Sequence, residues 1–517
     1  MRSSSKTSTS SSAEERARRT RRVPLRHRIP VRLRHHWRFA TTVTVGLVAL
    51  AVIFGSSMVR PFITSSIAST ETITNNIEGE GDLFDGGEHT IEITFNQAEY
   101  EDMIRTFQEE GEKQYIQADI VIDGTYIADV GLRLKGNSTL SSLRGTDSGM
   151  PEGEGDVPEG AGGEGFQDQV GGMGGFSLTQ LSEDEPESLP WLISFEEFQE
   201  GRAYQGHTEI ALRPAAGGSD AALNEALALE LTAESGQTTQ DYAFSSVTVN
   251  GGDPVARLVI DSPDAAWADS LGDGVLYKAR AGGSFEYKGE DPTDYEESFN
   301  QINGENTADL QPVMDLLRFV EEADDEEFAS ELDDHLDTAA FAEYLATQEL
   351  ISNSDAMDGA GNNYYLWYDT EQQRFTVLSW DLNLSFSAMG IGGGMFDGGD
   401  GMPEMPEGED MPEMPEGMPE DLGEGGGMGA QVGGSGTLKE RFLENEEFLA
   451  LYQEAYAQLY ADLVDSGFAA DALEELTARA EAAGDSEAAT ASESLSEQLA
   501  SLSAEAPDPS SSGMPGR

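Results

Sequence analysis

Residues 353–386 read NSDAMDGAGNNYYLWYDTEQQRFTVLSWDLNLSF and decide how the rest of this 517-residue chain is interpreted. Aromatic and β-branched residues at 364–368 and 374–379 predict two strands. The five residues between them suit a turn, so the segment predicts a β-hairpin. Polar and acidic residues stand at both ends of this hairpin.

Three of these polar residues form a pattern with chemical meaning. Asp355 leaves the preceding helix into a Gly-containing loop, Asn363 precedes the first strand, and Asp381 follows the second strand after Trp380. Phosphoryl transfer needs such a set: a carboxylate for the acceptor hydroxyl, an amide oxygen, and a carboxylate for Mg²⁺. A hairpin with Asp- and Asn-rich turns is the simpler alternative. Asp358 competes with Asp355, but the spacing to Asn363 favours Asp355.

The segments around the hairpin predict an α+β fold. Strand patterns come first, a helix with Leu223, Leu227 and Leu231 one turn apart follows, and more strands precede a mostly helical C-terminal part. Asp123-Gly124 and Asn250-Gly251 are turn signals between strands. The predicted strands are residues 90–95, 118–122, 126–134, 192–195, 244–249 and 255–260, and the predicted helices are residues 223–236, 308–322, 338–352 and the segment from 438.

Composition excludes several classes of protein. The chain has no Cys, which excludes disulfide scaffolds, Cys zinc sites and thiol catalysis. Its net charge of −67 disfavours nucleic-acid binding by the main body, because phosphate contacts need clustered Lys and Arg. The sequence also lacks a GxxxxGK[ST] loop, an HExxH motif and a GxSxG elbow.

The N-terminal part predicts a membrane anchor. Residues 1–38 form a basic arm, residues 39–59 are 21 residues without a charge, and residues 60–87 form a polar linker. This length suits one transmembrane helix, and the positive-inside rule places the arm in the cytoplasm and the main body outside the cell. The predicted location is therefore the cell membrane, as a single-pass protein. A cleaved signal peptide and a buried globular helix are the alternatives.

The main body is predicted to span residues 88–502, with a loose tail at 503–517. Two stretches inside it, at about 145–187 and 390–436, are rich in Gly, Pro, Glu and Met. Such segments bury too little apolar surface to offset the entropy of ordering the backbone. We therefore expect two disordered acidic inserts.

Two motifs resemble the signature of a known family. NSDxxxxxxNNYYLW followed by FTVLSWDLNLSF, within residues 353–386, is similar to the CotH family, the spore-coat-protein-H type of atypical protein kinases. GLRLKGNSTL at residues 131–140 resembles the other hallmark of that family, a G-x-R-x-(R/K)-G-N-S strand and loop. The resemblance covers about residues 88–386 and the helical segment from 438.

The resemblance implies a protein-kinase-like domain with an N-terminal β-rich lobe and a C-terminal helical lobe. It further implies ATP and Mg²⁺ or Mn²⁺ as cofactors, and Ser or Thr of surface or secreted proteins as substrates. By position, Asp355 is then the catalytic residue, and Asp381 and Asn363 hold the metal. The residues implied near the nucleotide phosphates are Arg133, Lys135, Asn137, Ser138 and Lys278.

Two positions depart from the family pattern. Asp261 aligns with the usual Glu after the VTVNG hairpin, and Ser194 occupies the WLISF strand where a basic residue is expected. The Lys that contacts phosphate is then Lys135 or Lys278, or the chain lacks one. A weak kinase and a non-catalytic relative both fit these departures.

Other functions remain open at this level. A non-catalytic surface scaffold or adhesion module would use the acidic loops to bind cations or basic partners, and it predicts no nucleotide binding. A phosphotransferase acting on a cell-envelope polymer is the other alternative. The strongly acidic exterior also fits plain solubility.

Overall fold

The computed structural model describes residues 73–136, 139–144, 181–216, 218–280, 283–304, 308–353, 355–357, 363–386 and 436–507. The predicted basic arm and anchor, residues 60–72 of the linker and the larger part of both inserts lie outside these ranges. Asn137, Ser138 and Asp358 also lie outside them. Within the described ranges, no helix is both long enough and apolar enough to cross a membrane.

The strands of the described chain concentrate in its first two thirds. They are β1 Asn75–Ile77, β2 His89–Phe95, β3 Ile116–Ile122, β4 Thr125–Leu134, β5 Trp191–Ser194, β6 Arg202–Tyr204, β7 Glu209–Leu212, β8 Tyr242–Val249, β9 Val255–Asp261, β10 Gly274–Ala279, β11 Phe299–Gln301, β12 Tyr364–Asp369 and β13 Arg374–Ser379.

Helices dominate the C-terminal part. They are α1 Gln97–Glu110, α2 Leu223–Glu234, α3 Ala265–Ser270, α4 Gln311–Glu322, α5 Asp325–Glu331, α6 Thr338–Leu350, α7 Gly436–Glu444, α8 Glu446–Leu459, α9 Phe468–Ala483 and α10 Ala488–Ser501. The predicted α+β class is confirmed.

Seven of the described strands close into a barrel in the order β2-β3-β4-β5-β7-β9-β8. A parallel pairing of β2 with β8 completes the ring, and His89 lies opposite Ser245. The predicted turns at Asp123-Gly124 and Asn250-Gly251 connect antiparallel neighbours, and all four residues have positive φ. The sequence predicted six of these seven strands and missed β7. It did not predict the closure, because closure depends on a pairing between distant segments.

A second sheet of the described chain has the strand order β11-β10-β12-β13. The predicted hairpin is its β12–β13 pair, with Tyr364 opposite Ser379. Buried side chains of this sheet, α2 and the C-terminal helices share one hydrophobic core. The other face packs beneath α3 in an aromatic-rich cluster of Ala268, Leu276, Tyr365, Trp367, Leu378 and Trp380.

The C-terminal end of the first predicted insert is packed rather than loose. Leu181 is buried, and Glu183 O accepts a hydrogen bond of 2.7 Å from Tyr100 Oη. Pro186 O accepts another, of 2.8 Å, from Trp191 Nε1. Composition placed the boundary at about residue 187, but these contacts with the barrel strand and α1 hold the chain from residue 181 onward.

The alternation along β2 gives a direct test of the barrel. Ile93 points into the core and Thr94 is exposed. Ile93→Ala should lower the free energy of unfolding by about 2–5 kcal/mol, because it removes buried methyl groups and leaves a cavity. Thr94→Ala, one residue along the same strand, should change it by less than about 0.5 kcal/mol. Urea denaturation of both variants measures the difference, and equal effects would contradict the assigned register.

Candidate functional site

Asp381 follows β13 in a strained backbone conformation. Its φ of 57° and ψ of 60° lie in the left-handed region, which non-glycine residues seldom adopt. Such strain persists only where the surroundings hold it, and it is often found at functional sites. Trp380 is buried on one side of Asp381, and Leu382 is buried on the other.

An arginine that follows β7 binds the Asp381 carboxylate. Arg213 Nη2 donates to Asp381 Oδ1, and Arg213 Nε donates to Glu225 Oε2 at 2.8 Å. Arg213 and Glu225 are buried, whereas Asp381 is partly exposed. Burial alone would lower the pKa of Arg213, but the two carboxylates outweigh it and raise that pKa. Burial raises the pKa of Glu225, and Arg213 opposes this shift.

A second buried arginine fixes the backbone of Arg213. Arg257 Nε donates to Arg213 O at 2.6 Å, and Arg257 Nη2 donates to Leu189 O at 2.7 Å. Its remaining partner is Glu187 O. Burial lowers the pKa of Arg257 to about 9. Three carbonyls therefore hold this guanidinium and connect Arg213 to the segment before β5.

Two lysines from different sheets meet over one indole. The Nζ atoms of Lys135, after β4, and Lys278, in β10, lie 5.2 and 4.4 Å from the centre of the Trp380 ring. Lys135 Nζ also lies 3.5 Å from Ser262 Oγ. Burial, followed by repulsion from Lys278, lowers the pKa of Lys135 to about 7. Burial lowers the pKa of Lys278 to about 8, although Asp381 opposes the shift.

Glu209, in β7, belongs to the same charged cluster. It accepts a 3.3 Å hydrogen bond from Tyr115 Oη, and the guanidinium of Arg133 lies 5.1 Å from the centre of the Tyr115 ring. Burial raises the pKa of Glu209, and the charges of Lys135 and Arg133 oppose the shift. The cationic group thus has an acidic side chain beside it.

Asp355 and Asn363 form the other side of the site. Asn363 Nδ2 donates to Asp355 Oδ2 at 2.6 Å, and the Asp355 N–H donates to Asn353 Oδ1 at 3.1 Å. Burial and then the charge of Asp381 raise the pKa of Asp355 to about 6, although the Asn363 hydrogen bond opposes this. The two aspartates are therefore close enough to influence each other.

Most of the site residues that were predicted from the sequence, and that the structure describes, lie close together. Asp355 and Asn363 are hydrogen-bonded, Asp381 interacts electrostatically with Asp355, and both predicted lysines contact Trp380. Arg133 lies at the edge of the cluster, beside Tyr115. Asn137 and Ser138 are outside the described residues.

Asp261, which aligns with the usual Glu of the family, is paired with a histidine. It ends β9, and its Oδ1 atom lies 2.8 Å from His207 Nδ1. Glu225 and Glu209 are the acidic residues that face the cationic cluster. Arg213 was not predicted as a site residue from the sequence. The one signal available for it was a single Arg between the strand residues EIAL and a proline.

The donor atoms suit a hard divalent cation. Asp355, Asn363 and Asp381 supply carboxylate and amide oxygens, which Mg²⁺ and Mn²⁺ favour. In the described part of the chain, no group of three or more His, Cys, Asp or Glu residues is arranged to hold a metal. Mg²⁺ is commonly bound by one or two carboxylates together with substrate phosphates.

The buried ion pair gives a test of what holds the site together. Arg213→Met leaves Glu225 buried without its partner, so the free energy of unfolding should fall by about 3–5 kcal/mol. Replacing both residues, as Arg213→Met with Glu225→Met, removes the unpaired charge and should restore at least half of that loss. Urea denaturation at pH 7.5 measures all three proteins. A double variant less stable than the single one would contradict a buried ion pair at this place.

Comparison with known proteins supports the resemblance found in the sequence. No curated protein matches the chain significantly. The family model described as CotH kinase protein matches residues 181–501. The match begins after β2–β4, although these strands complete the same barrel and carry Arg133 and Lys135. Because the match covers more than half of the chain, this protein belongs to the CotH kinase family.

Proposed function

We propose that this protein is a kinase that transfers the γ-phosphoryl group of ATP to Ser or Thr hydroxyls of surface or secreted proteins. One observation carries the proposal: two interacting aspartates, Asp355 and Asp381, lie beside a cluster of buried and partly buried cations between the barrel and the second sheet. Phosphoryl transfer depends mainly on positioning and on stabilising negative charge. The cluster offers both.

The cationic side chains would receive the phosphates. Lys135 and Lys278 share one indole and repel each other, which a polyanion between them would relieve. Arg213 adds a third charge from the end of β7. In a chain of net charge −67, this group of neighbouring cations, with Glu209 and Glu225 beside it, suits an anionic ligand.

Asp381 and Asn363 would hold Mg²⁺ or Mn²⁺. Asp381 is the partly exposed member of the Arg213–Glu225–Asp381 group, so its carboxylate is the one most accessible to a cation. When bound, the metal would neutralise negative charge on the phosphate oxygens. The end of the Arg213 guanidinium group would then turn from Asp381 towards the phosphates, while the Arg213 Nε atom stays hydrogen-bonded to Glu225.

Asp355 would orient the acceptor hydroxyl and accept its proton. A carboxylate with a pKa of about 6 is ionised at neutral pH and is more basic than an ordinary aspartate. The hydrogen bond from Asn363 fixes the direction of its Oδ2 atom. Asp355 would therefore act on the hydroxyl, and Asp381 on the metal.

The proposal includes a two-lobed arrangement and a membrane location. The barrel and α2 would form the β-rich lobe, and α4–α10 would form the helical lobe. The basic arm at 1–38 and the uncharged segment at 39–59 support a single-pass anchor with the body outside the cell. Substrates would then be proteins of the cell surface or envelope.

Variants of the two aspartates should fail in different ways. Asp381→Ala should abolish Mn²⁺-dependent ATP binding and turnover together, because it removes the metal ligand. Asp355→Asn should keep ATP binding while turnover falls by about 10²-fold or more, because only proton transfer is impaired. Isothermal titration calorimetry and phosphate transfer to a mixture of surface proteins measure the two effects.

Asp369→Asn is the matched control for both variants. Asp369 lies in the hairpin turn and accepts hydrogen bonds from Glu371 N and Gln372 N, which an Asn oxygen can also accept. The Asp369→Asn variant should leave ATP binding and turnover unchanged. Unimpaired binding and turnover in all three variants would refute the roles assigned to Asp355 and Asp381, and an absence of nucleotide binding by the parent protein would favour the scaffold.

The lysines predict how ATP binding varies with pH. Lys135 and Lys278 carry charge below their pKa values of about 7 and about 8, so their attraction for phosphate is present at pH 6.5 and is lost as pH rises. Affinity should fall by up to roughly 10-fold per pH unit for each proton that binding requires. Lys135→Gln should bind ATP more weakly at pH 6.5 and show a shallower fall between pH 6.5 and 9. An unchanged slope would exclude Lys135 from the phosphate site.

A further inference from the structure

A buried aspartate in the C-terminal helical part contacts the start of α2, the helix that carries Glu225. Asp485 lies in the loop between α9 and α10 and is only 2% exposed. Its Oδ2 accepts hydrogen bonds from Ser219 Oγ and, at 3.1 Å, from Ala221 N. Its Oδ1 accepts from Glu487 N at 2.9 Å. Both oxygens are therefore committed, and one of them holds the segment before α2.

The start of α2 needs such an external partner. Ala222 occupies the cap position of α2 and has no side-chain acceptor. Its φ of 48° is left-handed, so the backbone is strained there. Ser219 Oγ accepts a weak 3.4 Å bond from Leu223 N while it donates to Asp485. The negative charge of Asp485 near this helix end is also favourable.

The first turn of α2 holds Asp381 in two ways. Glu225 binds Arg213, which binds the Asp381 carboxylate. Asn224 Nδ2 donates to the carbonyl oxygens of Asn383 at 2.7 Å and Ser385 at 3.1 Å, directly after Asp381. One helical turn thus fixes both the side chain of Asp381 and the backbone that follows it.

We propose that Asp485 is a positioning residue for Asp381, acting through the first turn of α2. The loop that it holds, residues 214–222, connects the two members of the Arg213–Glu225 ion pair. Releasing the loop lets α2 shift or fray at its start, and both attachments to the Asp381 segment loosen. Because Asp381 has a strained backbone, it depends on those attachments. The inference rests on the proposed function for the role of Asp381, but the mechanical connection stands on the contacts alone.

Hydrogen exchange tests the mechanical connection without any ligand. In Asp485→Ala, the amides of residues 382–386 should exchange about 5-fold faster or more than in the parent protein, at a temperature well below melting. Asp485→Asn keeps an oxygen for Ser219 and Ala221 and should restore most of the protection. Asn445→Ala is the matched control, because Asn445 caps α8 in the same helical part by accepting from Glu447 N and Phe448 N. It should lower the melting temperature without accelerating exchange at 382–386.

Binding of Mn²⁺ and ATP gives the second measurement. The Kd of Asp485→Ala should rise about 5-fold, while those of Asp485→Asn and Asn445→Ala should stay near the parent value. If Asp485→Ala and Asn445→Ala both lower the melting temperature and neither changes exchange at 382–386, Asp485 is only a helix cap and the inference is wrong. If the parent protein binds no nucleotide, the proposed function fails, and the exchange experiment still decides whether Asp485 positions the Asp381 segment.

Discussion

The candidate site depends on one buried guanidinium that is shared by two carboxylates. Arg213 connects the end of β7 to α2 through Glu225 and to the end of β13 through Asp381, so three parts of the fold meet at one side chain. Burying Arg213 and Glu225 is costly unless their geometry and remaining hydrogen bonds compensate, whereas Asp381 stays partly exposed. Arg257 contributes to that compensation by fixing the Arg213 carbonyl. A buried, mutually dependent group of this kind favours one arrangement of the surrounding elements.

The site also concentrates positive charge in an acidic chain. Lys135, Lys278 and Arg213 come from the barrel, the second sheet and the segment after β7, so their charges meet only in the folded protein. Burial lowers the pKa of both lysines, and repulsion from Lys278 adds to the shift of Lys135, so bringing these charges together is a cost to folding. The acidic exterior would attract basic polypeptides towards the domain, while the cations near Trp380 would select for phosphate.

The sequence predicted the local parts of this structure better than the long-range ones. The hairpin, the α2 helix and the turns depend on neighbouring residues, and Asp355, Asn363 and Asp381 could be picked out because they flank that hairpin. Arg213 could not be recognised, because its partners Glu225 and Asp381 are identified only by the fold. The histidine partner of Asp261 was not predicted for the same reason, since His207 lies 54 residues earlier, between β6 and β7. Neither composition nor periodicity indicates that β2 and β8 pair.

That pairing has a consequence for how the protein is made. The ring can close only when β2, which contains His89, pairs with β8, which contains Ser245. One of the long acidic segments lies between these two strands in the sequence. Contacts between such distant residues slow folding, although lengthening an intervening loop adds little to its thermodynamic cost. During synthesis, β2–β4 would therefore be exposed as an incomplete sheet with free edges until β8 is made. The acidic segment between β4 and β5 would keep this intermediate soluble while the chain is being made.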